Sequence, residues 1–238
     1  MNDILGEFFG TMALILLGDG VVAGVLLSRS KAHGAGWLAI TAAWAFAVMA
    51  GIFTARACGA PGYINPVGPI VDFVNSKHTA EKAGLFILAE LAGAFTGAVL
   101  VWLHYLPHWS ITNDAGAKLG VFCTSPAIRN LPANVLTEAL GTFTLVFVGT
   151  AIAAEKDVGR GLGVPLASAL VWGIGLSLGG TTGYAINPAR DLGPRLAHAV
   201  LPIPGKGPSD WGYSWVPIVG PIAGALIAAF LAKAVFLA

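Results

Sequence analysis

Ile64-Asn65-Pro66-Val67 and Ile186-Asn187-Pro188-Ala189 decide how this chain folds. Asparagine is a favoured N-cap, and proline is favoured at the first helical position, where its missing N–H would be unpaired anyway. Each tetrad therefore starts a helix. The apolar pieces behind them, 66–75 and 188–197, are short: about ten residues at 1.5 Å each reach about 15 Å. The hydrocarbon core of a bilayer is about 30 Å thick. Neither piece crosses it alone, but two set tip to tip cross it once, with both N-termini at the centre. A single Asn-Pro is an ordinary turn or cap; a matched pair, each interrupting an apolar chain, is not.

The rest of the chain supplies the membrane setting. Hydrophobic residues make up 56% and charged residues 11% of the 238, and mean hydropathy is +0.77. An ordinary soluble domain is about 25% charged. Six stretches, 4–27, 37–57, 83–104, 133–153, 162–181 and 214–237, are apolar enough to span. The first contains Glu7 and Asp19 and lacks a cationic leader, so it reads as a retained helix and not a cleaved signal. A net charge of +1 with no basic block gives no reason to expect nucleic acid, and Cys58 and Cys123 fit no metal-ligand spacing. Loop charge does not orient the chain: Arg56, Lys77, Lys82, Lys156, Arg160 and Lys233 on one side stand against Arg29, Lys31, Lys118, Arg129, Arg190, Arg195 and Lys206 on the other, six to seven. Six spans place both termini on the same side.

The halves repeat. Glu7-Phe8-Phe9-Gly10-Thr11 answers Glu138-Ala139-Leu140-Gly141-Thr142. Gly62-Tyr63-Ile64-Asn65-Pro66 answers Gly183-Tyr184-Ala185-Ile186-Asn187-Pro188, and Leu91-Ala92-Gly93-Ala94 answers Ile222-Ala223-Gly224-Ala225. Each copy reads span, span, half-span, span; an odd number of crossings turns the second copy upside down, the arrangement that places sites at the midplane. The chain is thus expected to be one all-α membrane domain over 1–238, with repeat one over 1–104, a surface loop over 105–132 and repeat two over 133–238. Glycines four apart (Gly6 and Gly10, Gly20 and Gly24, Gly93 and Gly97, Gly175 and Gly179, Gly220 and Gly224) read as close helix packing.

Chemistry follows from this geometry. Two positive helix ends, each worth about half a charge, point at one midplane spot and repel cations and relayed protons. The amides of Asn65 and Asn187 offer donors to a passing oxygen. The extended segments 59–64 and 180–186 bring backbone carbonyls to membrane depth, which is tolerated only beside a wet cavity or inside protein. Gly62, Tyr63, Ile64, Gly183 and Ala185 are the candidate carbonyls. Such a wall suits water and hydroxylated molecules. The copies differ three residues after each Asn, with Gly68 in the first and Arg190 in the second. An arginine in a membrane segment is costly unless it faces water or a partner. Arg190, one turn out from the midplane, would repel cations and hold hydroxyls, unless it serves in a structural salt bridge.

The segment Gly183-Tyr184-Ala185-Ile186-Asn187-Pro188-Ala189-Arg190-Asp191-Leu192-Gly193-Pro194-Arg195 closely resembles the second signature of the aquaporin and glycerol-facilitator family, and the likeness extends over essentially the whole chain. Asp191 and Arg195 look like the glycerol-conducting branch. The resemblance implies six transmembrane helices plus two re-entrant half-helices. It implies a pore motif of Asn65, Pro66, Val67, Asn187, Pro188 and Ala189, and an outer constriction of Trp44, Gly175, Tyr184 and Arg190. Gly175, where water-selective members usually carry histidine, is expected to leave width for small polyols. Glu7, Glu138 and Asp191 are implied as structural supports of the loops. A homotetramer in the cell membrane with cytoplasmic termini is also implied, with glycerol, water, urea, dihydroxyacetone and undissociated lactic acid as candidate solutes and no cofactor. Departures from the family pattern are Val67 for alanine, Tyr184 for phenylalanine, Tyr63 for histidine, Glu90 for glutamine, and the span charges Asp19 and Arg56. Asp19 and Glu90 are expected to be structural, satisfied by neighbouring helices or loops, whereas Arg56, near the inner mouth, would favour weak acids such as lactic acid.

Two other function classes fit less well. Alternating access would want an ion-coupling carboxylate beside the broken helices, and neither motif has one within a turn on its N-terminal side. A membrane enzyme would want a catalytic cluster near the midplane, whereas His33, His78, His104, His108 and His198 fall at span ends and in loops.

Overall fold

The computed structural model describes residues 2–155, 158 and 161–236; Lys156 and Arg160 of the charge comparison lie outside the described residues. Ten helices occur among the described residues: α1 (Asn2–Leu26), α2 (Gly36–Ala57), α3 (Val67–Val74), α4 (Ala80–His104), α5 (Leu106–Ile111), α6 (Ala115–Phe122), α7 (Leu131–Ala154), α8 (Gly163–Leu178), α9 (Pro188–Val200) and α10 (Val216–Phe236). Five of these, α1, α2, α4, α7 and α10, are long and apolar enough to cross a membrane. The remaining expected span, α8, has 16 residues and stops at Leu178, because Gly179-Gly180-Thr181-Thr182 turns the chain toward the second Asn-Pro motif.

Packing follows the sequence repeat. α1 lies against α2 and α4, as α7 lies against α8 and α10. α3 packs on α4 and α10, α9 packs on α10 and α4, and α2 meets α8. Exchanging α1 with α7, α2 with α8, α3 with α9 and α4 with α10 maps this pattern onto itself. α3 and α9 are the two half-helices. They are unequal, with 8 and 13 residues, and together they reach about 31 Å at 1.5 Å per residue.

Glycine contacts hold the helices close where the repeat places them. A Cβ on Gly93 of α4 would run into the Phe8 carbonyl of α1, and a Cβ on Gly224 of α10 would run into the Ala139 carbonyl of α7. These contacts are equivalent, since Phe8 and Ala139 each follow the repeated glutamate. Gly10 and Gly51 face each other's carbonyls in the same way, at 2.7 and 2.8 Å. Gly20 does not fit the packing expectation: open space surrounds its missing Cβ.

Polarity is distributed as in a protein dissolved in lipid. Leu38, Phe46, Leu88, Leu136, Ile227 and Phe230 are exposed, while Glu7, Asp19, Glu90, Glu138, Asp191 and Arg195 are buried. The segment 105–132 departs from the expected surface loop. Pro107 lies in the first turn of α5, and the Asp114 side chain caps α6 by accepting from the Ala117 N–H at 3.0 Å. Trp109 and Phe122 are fully buried and stacked at 5.6 Å. Proline in a first turn starts a helix, and two aromatic rings need a core.

Candidate functional site: a midplane clasp and a guanidinium constriction

The two Asn-Pro motifs meet. Asn65 Nδ2 donates to the Ile186 carbonyl at 2.9 Å, and Asn187 Nδ2 donates to the Ile64 carbonyl at 2.7 Å. Ile64 and Ile186 adopt φ of 48° and 42°, a left-handed conformation that is an outlier for β-branched residues. It turns their carbonyls across the pseudo-twofold axis to receive these bonds. An amide NH2 has two donors, so each Asn keeps one N–H beyond the clasp.

The Asn oxygens point the other way, into their own helices. Asn187 Oδ1 accepts from the N–H groups of Ala189 and Arg190, at 3.0 and 3.2 Å, and is a true N-cap of α9. Asn65 Oδ1 accepts from Val67 N–H at 3.2 Å, while Gly68 N–H goes to the Asn65 carbonyl. α3 therefore starts at Val67, one residue later than the Asn-Pro rule places it. Pro66, Val67, Pro188 and Ala189 are buried behind the two amides.

Three buried carboxylates hold the segments leading to the clasp. Glu7 accepts from the N–H groups of Gly62, Tyr63 and Ile64 at 2.7, 3.0 and 2.7 Å. Glu138 accepts from the Thr182 hydroxyl and from the Ala185 and Ile186 N–H groups, at 2.6, 3.0 and 2.9 Å. Glu90 receives the Asn65 N–H at 3.2 Å. The sequence marks Glu90 as a departure expected to be structural, but its specific place beside Asn65 exists only once α4 packs on α3. Neither motif has a carboxylate within a turn on its N-terminal side, but the fold brings Glu90 of α4 beside the first one, where Oε1 serves the backbone and Oε2 has no partner among the described residues.

Arg190 stands in the first turn of α9. Its guanidinium lies over the Trp44 ring, 4.2 Å from the centroid. Its Nη1 donates to the Phe122 carbonyl at 3.4 Å and lies 3.5 Å from Asp19 Oδ1. Asp191 is buried behind it, accepting from the Thr124 N–H and hydroxyl at 2.8 and 2.7 Å and pairing with Arg195. Gly175 does not leave the width expected of it. A Cβ there would come 2.9 Å from Tyr184 Cζ, so the Tyr184 ring rests on the glycine. Trp37 holds that ring edge-on at 5.8 Å and donates its indole N–H to the Gly175 carbonyl at 3.0 Å.

A cavity of about 650 Å³ runs along the clasp. Trp44, Val48 and Ile52 of α2, Leu145 and Val146 of α7 and Val171 of α8 make one apolar wall. The lining also includes Gly62, Tyr63, Ile64, Asn65, Tyr184, Ala185, Ile186 and Asn187, with Arg190 and Lys77. Gly175 and Gly183 are not among the lining residues, and Gly183 instead faces Thr124. Arg56 is also outside it, its Nε donating to the Pro61 carbonyl at 3.3 Å. Tyr63 fills the space that Gly68 leaves, with its hydroxyl 2.5 Å from Asp72 Oδ2 and 2.7 Å from His78 Nε2. No cluster of metal-ligating side chains occurs among the described residues.

Known proteins share this architecture. The chain is 54% identical to the "probable glycerol uptake facilitator protein" of Thermotoga maritima, over 97% of this chain and 98% of the relative. It is 53% identical to glycerol uptake facilitator protein 3 of Lactiplantibacillus plantarum, over 96% and 95%. The crystallographic aquaglyceroporin of Plasmodium falciparum superposes with a TM-score of 0.84 at 26% identity, covering 98% of this chain and 96% of that one. The model of the major intrinsic protein family matches residues 1–232. With the clasp, the inverted repeat and these relatives in agreement, the chain belongs to the major intrinsic protein family.

Proposed function

We propose that this protein is a passive channel for glycerol and other small uncharged solutes, with some water, that excludes ions and protons. The observation that carries this reading is the reciprocal Asn clasp at the meeting point of two helix N-termini, set in the wall of the cavity. Two positive helix ends repel a cation, while the spare amide donors and the backbone oxygens exchange hydrogen bonds with hydroxyls. The apolar wall accepts a carbon backbone. The names of the two bacterial relatives support glycerol as the solute.

Trp44, Tyr184 and Arg190 form the selective constriction in this reading. Gly175 acts as the seat for the Tyr184 ring and not as free width. Dihydroxyacetone, urea and undissociated lactic acid are further solutes of suitable size. The protein sits in the cell membrane as a homotetramer with one pore per subunit and both termini cytoplasmic. No chemical step is assigned to it. Alternating access is disfavoured because Glu7, Glu138 and Glu90 each accept from backbone N–H groups of the segments leading into the clasp.

Stopped-flow light scattering on proteoliposomes, comparing glycerol, other solutes and water, tests the reading. Glycerol equilibration well above that of protein-free vesicles is expected. Water conduction with glycerol at background would overturn the polyol assignment.

A further inference from the structure

Asp19 is the most unusual charge in the molecule. It sits inside α1, about two turns before the helix ends at Leu26, is fully buried, and neither carboxylate oxygen accepts a hydrogen bond among the described residues. The cation in reach is Arg190, with Nη1 3.5 Å from Oδ1. The nearby Asp191 is committed to Arg195 and Thr124. A buried charge without a partner is strongly destabilising, so Asp19 and Arg190 need each other.

Gly18, which precedes Asp19, serves the same constriction. A Cβ on Gly18 would run into the Trp44 ring, so the glycine makes room for the indole on which Arg190 lies. The Gly20 carbonyl accepts from the Tyr105 hydroxyl at 3.2 Å. Gly18-Asp19 thus backs the filter, with Gly18 seating its aromatic ring and Asp19 facing its guanidinium.

We propose that Asp19 is a positioning residue that sets the charge selectivity of the channel: it holds the Arg190 guanidinium and supplies its counter-charge, so that the constriction keeps arginine donors for hydroxyls without attracting small anions. An isolated guanidinium in a narrow, low-dielectric passage concentrates anions. Paired with Asp19 the filter carries no formal charge, and the helix ends at the clasp continue to repel cations. Asp19 does not line the cavity, so it acts through Arg190 and not on the solute. This inference rests on the channel function proposed above.

The test compares glycerol with formate ion at neutral pH in proteoliposomes of the full chain, with flux normalised to reconstituted protein. Asp19→Asn is expected to raise the formate-to-glycerol flux ratio at least about tenfold, the lower end of the enrichment a focused field gives. Asp19→Glu, which keeps the charge, is expected to lie closer to the parent. In an Arg190→Met background, Asp19→Asn should raise the ratio no further. A merely structural Asp19 would lower both fluxes together, and an unchanged ratio would overturn the inference. Glycerol flux at background in the parent would instead overturn the channel assignment itself. Should Asp19→Asn yield no folded protein, the double variant Asp19→Asn/Arg190→Met is expected to recover it, since no buried charge is then unpaired. Failure of that recovery would overturn the pairing.

Discussion

At the residue scale, neutralised donors and acceptors account for most of the site. The N–H groups of residues 62–65 all end on Glu7 or Glu90, and those of 185 and 186 on Glu138. Several groups break the pattern, among them Glu90 Oε2 and the buried Tyr184 hydroxyl, which have no hydrogen-bond partner among the described residues. An unmet buried polar group costs about 1–3 kcal/mol. Tyr184→Phe should therefore raise the thermal midpoint of the detergent-solubilised protein; a clear fall would show that the hydroxyl has a partner. Asn65, Asn187 and Arg190 were legible in the sequence, because a capping Asn-Pro and a membrane arginine have local physical meaning. The counter-ion of Arg190 was not, because Asp19 comes from a different helix and no spacing rule links the two. Gly175 misled for a related reason: an absent side chain marks space, but the sequence does not say that the Tyr184 ring fills it.

At the element scale, the repeat predicts which helices touch, and glycine contacts show how closely. Gly224→Ala would press a methyl into the Ala139 carbonyl, and overpacking of this kind costs about 1–3 kcal/mol. Gly20→Ala meets open space and should gain up to about 1 kcal/mol of helix propensity. Thermal unfolding in detergent should move down for the first variant and not for the second; equal behaviour would contradict the packing. The four-residue glycine spacing was legible for Gly93 and Gly224 but could not separate them from Gly20. Neither could sequence show α5 and α6, whose Pro107, Gly116 and Gly120 read as loop residues. Pro107 instead begins α5, and Trp109 and Phe122 bury the connection against the bundle.

At the scale of the whole molecule, an inverted repeat brings two half-helices to one midplane point, and its departures from symmetry give the ends different chemistry. One end carries Arg190, Trp44 and Tyr184; the other carries Tyr63, packed on the glycine equivalent to Arg190 and tied to Asp72 and His78. The central claim is that this path conducts uncharged polyol passively and stops protons. Proteoliposomes loaded with a pH-sensitive dye and exposed to graded glycerol steps test it most directly. Glycerol influx should rise linearly with concentration, without saturation, while the internal pH trace overlays that of protein-free vesicles under an imposed proton gradient. Saturating influx, or proton movement that follows glycerol, would contradict a passive, proton-excluding pore.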